Sequence, residues 1–113
     1  MQVVFKARDP QAAAMADLAQ RRLRFAFRRL SWLVPHATVQ LSDINGPRGG
    51  VDKRCQVELA TDGAGMVVVT SVARDWRTAI DLALARATRF LVRLWRRSRD
   101  PRRARQRVLA IDG

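Results

Sequence analysis

The sequence predicts an α+β fold: a single domain of order β-α-β-β-β-α, with two helices packed on one face of a four-stranded sheet. Three observations carry that reading. Four short stretches alternate between apolar and polar residues with the period of a strand, while two longer ones place apolar residues three or four apart on one helical face. Cap and turn residues fall between these stretches, at Asp9-Pro10, in the Gly/Pro-rich segment 44–52, at Thr61–Gly65 and at Asp75. One apolar face per strand and one stripe per helix fit a two-layer core, and 113 residues with 48 % hydrophobic content suffice to fill it.

The first strand is expected from Gln2 to Arg8, with Val3, Phe5 and Ala7 on one side and Val4, Lys6 and Arg8 on the other. Asp9 then offers a side-chain cap, and Pro10 fits the first helical position because it has no N–H to leave unpaired. A helix is expected from Gln11 to about Leu30. Its buried face carries Ala12, Met15, Ala16, Ala19, Leu23, Ala26, Phe27 and Leu30, with Arg21, Arg24 and Arg28 opposite. Leu18 and Phe25 fall on that outward, basic side. The second strand, His36 to Asp43, turns Ala37, Val39 and Leu41 inward. Residues Ile44 to Asp52 read as a flexible hairpin connection. The third strand, Lys53 to Ala60, has Cys55, Val57 and Leu59 on its apolar face. A tight turn over 61–65 leads into the β-branched fourth strand, Met66 to Val72. Asp75 caps a long helix ending near Ser98, ahead of Asp100-Pro101. Its buried stripe is Trp76, Ala79, Ile80, Ala83, Leu84, Ala87, Phe90, Leu91 and Leu94. The domain thus spans residues 1–99, and residues 100–113 form a short basic tail.

Charge is the strongest functional signal. Twenty Arg and two Lys face ten acids, a formal net charge of +12. The Arg are clustered: Arg21, Arg22, Arg24, Arg28 and Arg29 on the first helix, and ten Arg with one acid between Arg86 and Arg107. Arg86, Arg89, Arg93 and Arg97 form a ridge on the second helix with no acid at i±4 to neutralise it, and Arg96 stands beside them. Lys53 and Arg54 stand at the end of the Gly-rich loop. Clustered, unneutralised Arg is self-repelling until it meets a polyanion, and its planar fork of donors matches phosphate, so these residues are candidate RNA contacts. Phe25 among guanidiniums is a candidate base-stacking platform, and Trp95, between Arg93 and Arg96, a candidate contact. The apolar fraction argues for a folded basic domain rather than a disordered basic protein.

Catalysis finds no inventory here. His36 and Cys55, each early in its strand, could lie near one another, but one His and one Cys cannot supply the ligands of a zinc site, and no third group stands by. The loop NGPRGG lacks the Gly-Lys-Ser/Thr ending of a phosphate-binding loop and precedes a strand. The acids are nine Asp and Glu58, scattered without a pair. No enzyme activity, cofactor, metal or small-molecule substrate is expected. A lone cysteine, no secretion signal and no apolar run long enough to span a bilayer point to a reducing cytoplasm without a membrane partner.

Four local patterns then resemble one family. MQVVFKARD matches its first strand leading into a long helix, and GVDKRCQVEL (Gly50 to Leu59) its loop and third strand. The short turn and fourth strand follow at the expected distance. ARDWRTAID (Ala73 to Asp81) matches the start of its second helix, ahead of a basic ridge. In this joint order, over residues 1–99, the chain resembles the ribosome hibernation-promoting and ribosome-associated inhibitor family of bacteria. It departs from that pattern in its few Lys and acids, its Arg-rich end and its lack of Tyr. The resemblance implies a layout similar to double-stranded-RNA-binding folds, with both helices facing ribosomal RNA. It further implies binding to the small ribosomal subunit in the decoding channel, where messenger and transfer RNA would be occluded and translation held inactive under stress. The dimerisation domain of long family members is not expected here, and the sequence does not set the oligomeric state. Two rivals stay open on the residues alone: a general double-stranded RNA or DNA binder, and an Arg-rich module that engages an acidic protein.

Overall fold

Strand alternation becomes one sheet of order β1-β2-β3-β4 in a computed structural model that describes residues 1–44 and 51–99, with side chains to Arg97. The strands are β1 (Gln2–Ala7), β2 (His36–Asp43), β3 (Lys53–Thr61) and β4 (Gly65–Ala73). Residues 45–50 of the expected 44–52 connection and the basic tail at 100–113 lie outside the described residues. β1 and β2 run parallel, with Val3 beside Ala37 and Phe5 beside Val39. Parallel neighbours need a crossover, and the first helical segment supplies it. β2-β3 and β3-β4 are antiparallel, and the second pair closes through glycines at positive φ, Gly63 (101°) and Gly65 (70°).

The helices cover one face, as expected. Helix α3 (Trp76–Arg99) packs on β3 and β4, and helix α2 (Ala16–Ala26) packs on β1 and α3. Ala37, Val39, Leu41, Cys55, Val57 and Leu59 of the sheet meet Leu23, Phe27, Ile80, Ala83, Ala87 and Leu91 in one buried core. The thiol of Cys55, desolvated there, has its pKa pushed up to about 12 and is a packing group rather than a nucleophile. Ser71 Oγ donates to the carbonyl of Ala79, pinning β4 to the first turn of α3. Asp75 caps that turn: its Oδ1 accepts from Thr78 N (2.7 Å) and its Oδ2 from Thr78 Oγ1 (2.9 Å). The backbone bond from Thr78, then its hydroxyl, lowers the Asp75 pKa.

Three expectations are corrected. The single helix over 11–30 is instead a four-residue α1 (Pro10–Ala13), then α2, then a 3₁₀ turn at Ser31–Leu33. Asp9 and Pro10 start α1 as read, with Asp9 Oδ1 accepting from Gln11 N at 2.7 Å. The helix is interrupted where Met15 N–H donates three residues back, to the Ala12 carbonyl (2.9 Å), rather than four. The helix stops at Ala26 because Leu30, Leu33 and Val34 must fold back into the core before β2 begins. Phe90 is half-buried and lies at the border of the α3 stripe, whereas Leu91 is fully enclosed. His36 and Cys55 are not neighbours: His36 pairs with Ala60 and Cys55 with Leu41, and His36 is exposed while Cys55 is buried under the helices.

Candidate nucleic-acid interface

Two layers give the domain two different surfaces. Residues of even parity on the strands point away from the helices. In register across the open face they form the rows Gln2-His36-Ala60-Met66, Val4-Thr38-Glu58-Val68 and Lys6-Gln40-Gln56-Thr70. Val4, Met66 and Val68 are exposed there, and a hydrogen-bonded chain runs from Arg54 through Gln56 to Glu58, both links 2.8 Å. That face is mixed and only weakly basic. The helical surface is different.

On α2 the sequence-predicted residues Arg21 and Arg24 are exposed, and Arg22 is half-buried; Arg28 and Arg29 follow, exposed, in the turn after the helix. Arg21, Arg24 and Arg28 donate only to backbone carbonyls, of Asp17 (3.4 Å), Met1 (3.5 Å) and Phe25 (2.9 Å), which leaves their charge uncompensated. Arg22 differs. Its Nη1 pairs with Asp81 Oδ1 at 2.7 Å and ties α2 to α3. On α3, Arg89, Arg93, Arg96 and Arg97 are exposed and have no ion pair or hydrogen bond among the described residues. Arg86, read as the first residue of their ridge, leans the other way and donates to the carbonyl of Thr70 on the outer strand (2.6 Å). It covers a polar group of that edge, so the ridge divides into a strand-facing Arg86 and an α2-facing Arg89.

Two further candidates stand apart from this surface. Arg54 projects from the open sheet face, where it pairs with Val72 across β4. Lys53 lies at the end of β3 with its Nζ 2.7 Å from Asp43 and 3.3 Å from the fully buried Asp52, and 5.4 Å from the ring centroid of Trp76. Its hydrogen bond to Asp43 is the first cause of a raised pKa, against desolvation, with Asp52 adding to it. Its ammonium is thus committed to internal carboxylates.

Leu18 and Phe25, whose outward placement is odd for apolar side chains, acquire a neighbour. Leu18 is half-buried against the core, while Phe25 is 67 % exposed. Both line a groove of about 1060 Å³ between α2 and α3, with Arg21, Arg22, Ala26, Arg77, Asp81, Leu84, Ala85, Thr88 and Arg89. Arg28 Cζ sits 4.2 Å over the Phe25 ring. Arg77 is the residue that sequence reasoning missed. It stands one turn before Asp81 on the α3 flank that meets α2, a flank that periodicity within α3 alone does not single out. Trp95 is half-buried against the core and Trp76 buried, whereas Trp32 is exposed. No metal-binding cluster of His, Cys, Asp or Glu occurs among the described residues, and no helix there is long and apolar enough to cross a membrane.

Among solved structures the chain is similar to a ribosomal subunit interface protein from Coxiella burnetii, with a TM-score of 0.66 and 13 % identity over 83 % of this chain and 97 % of that one. It is also similar to the N-terminal domain of Protein Y from Thermus thermophilus, with a TM-score of 0.63 and 23 % identity over 83 % and 99 %. No protein-family model matches the sequence, and no curated protein does. The likenesses show a shared fold, consistent with the resemblance to the hibernation-promoting family.

Proposed function

We propose that this protein binds the small ribosomal subunit through its helical face and inhibits translation by occupying the decoding channel, a hibernation factor of the bacterial cytoplasm. One observation carries the reading: α2, the turn after it and α3 turn Arg21, Arg24, Arg28, Arg29, Arg89, Arg93, Arg96 and Arg97 to solvent without a carboxylate partner among the described residues. This occurs on a fold shared with a ribosomal subunit interface protein and with Protein Y. Exposed guanidiniums on two neighbouring helices suit the phosphates of structured RNA, which is recognised by shape rather than by base sequence. The mechanism is steric. Arg-phosphate contacts supply affinity, and the body of the domain then excludes messenger and transfer RNA. Nothing in this mode of action requires a reaction at the site.

The test is co-sedimentation of the full chain with ribosomal particles on sucrose gradients, alongside a cell-free translation reaction. The protein is expected to migrate with small subunits or whole ribosomes, to reduce translation near stoichiometry and to displace initiator tRNA. Binding that leaves initiator tRNA in place would remove occlusion. Equal retention on any RNA or DNA duplex, without ribosome association, would leave a general nucleic-acid binder.

A further inference from the structure

The groove between α2 and α3 has a construction that phosphate binding alone does not use. Its floor is apolar, from Leu18, Ala26, Leu84 and Ala85, and Phe25 forms part of its wall. The Arg22–Asp81 pair bridges the two helices within it. Around it stand Arg21 on one helix and Arg77 and Arg89 on the other, none in a close ion pair among the described residues, although Arg77 feels the charge of Asp75. Four guanidiniums against one carboxylate leave the lining at a net +3. Phe25 is also held in place: Arg28 stacks on its ring at 4.2 Å and donates to its carbonyl at 2.9 Å. A preordered aromatic wall reduces the ordering cost of a ligand that stacks on it.

We infer that this groove receives a single unstacked base of an RNA strand, with Phe25 as its stacking wall and Arg21, Arg77 and Arg89 on the flanking phosphates. The inference rests on the reading of the helical face as RNA-facing and adds to it a preference for a bulged or flipped nucleotide. A fully paired A-form stem keeps its bases stacked, so it would meet the Arg rim with phosphates and leave Phe25 and the apolar floor bare. A flat aromatic ring flanked by two negative groups engages both the Phe25 wall and the Arg rim. An acidic amphipathic helix is the other chemistry to weigh, and it fits less well. Such a helix needs a row of apolar pockets at i, i+3, i+4 and i+7, whereas the large apolar side chains here are only Leu18, Phe25 and Leu84. The basic surface also continues past the groove through Arg24, Arg29 and Arg93, as a continuing phosphate backbone requires.

The experiment compares the full chain on fluorescent RNA hairpins: a perfect stem, the same stem with one bulged nucleotide, and that stem with an abasic residue at the bulge. Base-aromatic stacking predicts about five- to a hundredfold tighter binding of the bulged stem, lost with the abasic one. Phe25→Ala is expected to abolish that gain and to leave perfect-stem affinity within about twofold, while Phe25→Trp keeps the gain. Thermal melts confirm that both variants fold, which the exposure of Phe25 makes expected. Equal affinity for perfect and bulged stems, or a gain that survives Phe25→Ala, overturns the proposal. So does displacement of the bulged hairpin by an amphipathic Glu-rich helical peptide at lower concentration than by a polyglutamate of the same charge, which assigns the groove to a protein. Ribosome association without bulge preference sinks this inference alone. Bulge preference without ribosome association sinks only the ribosomal reading.

Discussion

Lys53 shows how a residue read as a surface cation acquires partners inside the fold. A lysine beside a Gly-rich loop reads as a surface cation, yet its side chain is 17 % exposed and bridges Asp43 and Asp52. What the sequence could not reveal is that Asp52, its own neighbour, is fully buried and needs a cation nearby. Lys53→Met, which keeps the aliphatic stem over Trp76, should therefore lower the melting temperature at neutral pH, whereas Lys53→Arg should recover much of the loss. The pH dependence has a definite sign. The folded pKa of Lys53 is raised above 10.5, so its contribution is complete below that value and fades as pH rises through the folded pKa. Melts of wild type and Lys53→Met should therefore differ at neutral pH and converge only as the pH rises through the folded pKa of Lys53. Identical melting at neutral pH would mean that solvent, not Lys53, compensates the two carboxylates.

Helices and strands were legible in the sequence to the degree that a single period governed them. The alternation of Ala37, Val39 and Leu41 with Thr38 and Gln40 located β2, and the Leu23–Phe27 and Ile80–Leu91 stripes named the core. The break at Ala14–Met15 was invisible, because Ala12 and Ala19 keep the same side across it. The interhelical groove was invisible for a related reason: Leu18 and Phe25 on one helix and Arg77 on the other acquire meaning only when α2 lies against α3. Side-chain reach explains the divided ridge, since Arg86 finds the Thr70 carbonyl that a helical wheel does not contain. A clean charge-removal variant therefore leaves Arg86 in place. Arg89, Arg93 and Arg97 replaced together by Ala should keep or slightly raise the melting temperature, since Ala is the better helix former and like charges are removed. Ribosome affinity should fall by about 1 kcal/mol or more per lost contact, read from sedimentation titrations. The fold control is Leu91→Ala, fully buried in the core, expected to cost about 2–5 kcal/mol of stability by thermal or denaturant melting. If the triple variant binds as wild type does, the ridge is only a solvated face.

For the molecule as a whole, the question is whether binding reads net charge or its placement. A formal +12 would draw the chain to any polyanion, and long-range attraction depends on the total. Contact counts differently: each phosphate neutralised releases condensed counterions, so log affinity falls linearly with log salt, with a slope near −0.9 per contact on duplex. If the helical face makes roughly six to ten such contacts, affinity should drop by about three to five decades between 50 and 200 mM monovalent salt, softened by bound magnesium. Two double variants separate contact from field. Lys6 and Arg54 lie on the open sheet face, Arg93 and Arg96 on α3, and replacing either pair by Ala removes the same charge. Loss of the α3 pair should flatten the salt slope by about two, one unit for each contact, whereas loss of the sheet pair should shift affinity slightly and leave the slope as it was. Titrations of small subunits at fixed magnesium provide both numbers. Equal flattening by the two pairs would place contacts on both faces, and no flattening by either would mean that the domain is held by its overall field. A slope that responds to α3 alone is the signature of a folded, oriented interface, with the sheet serving as the scaffold behind it.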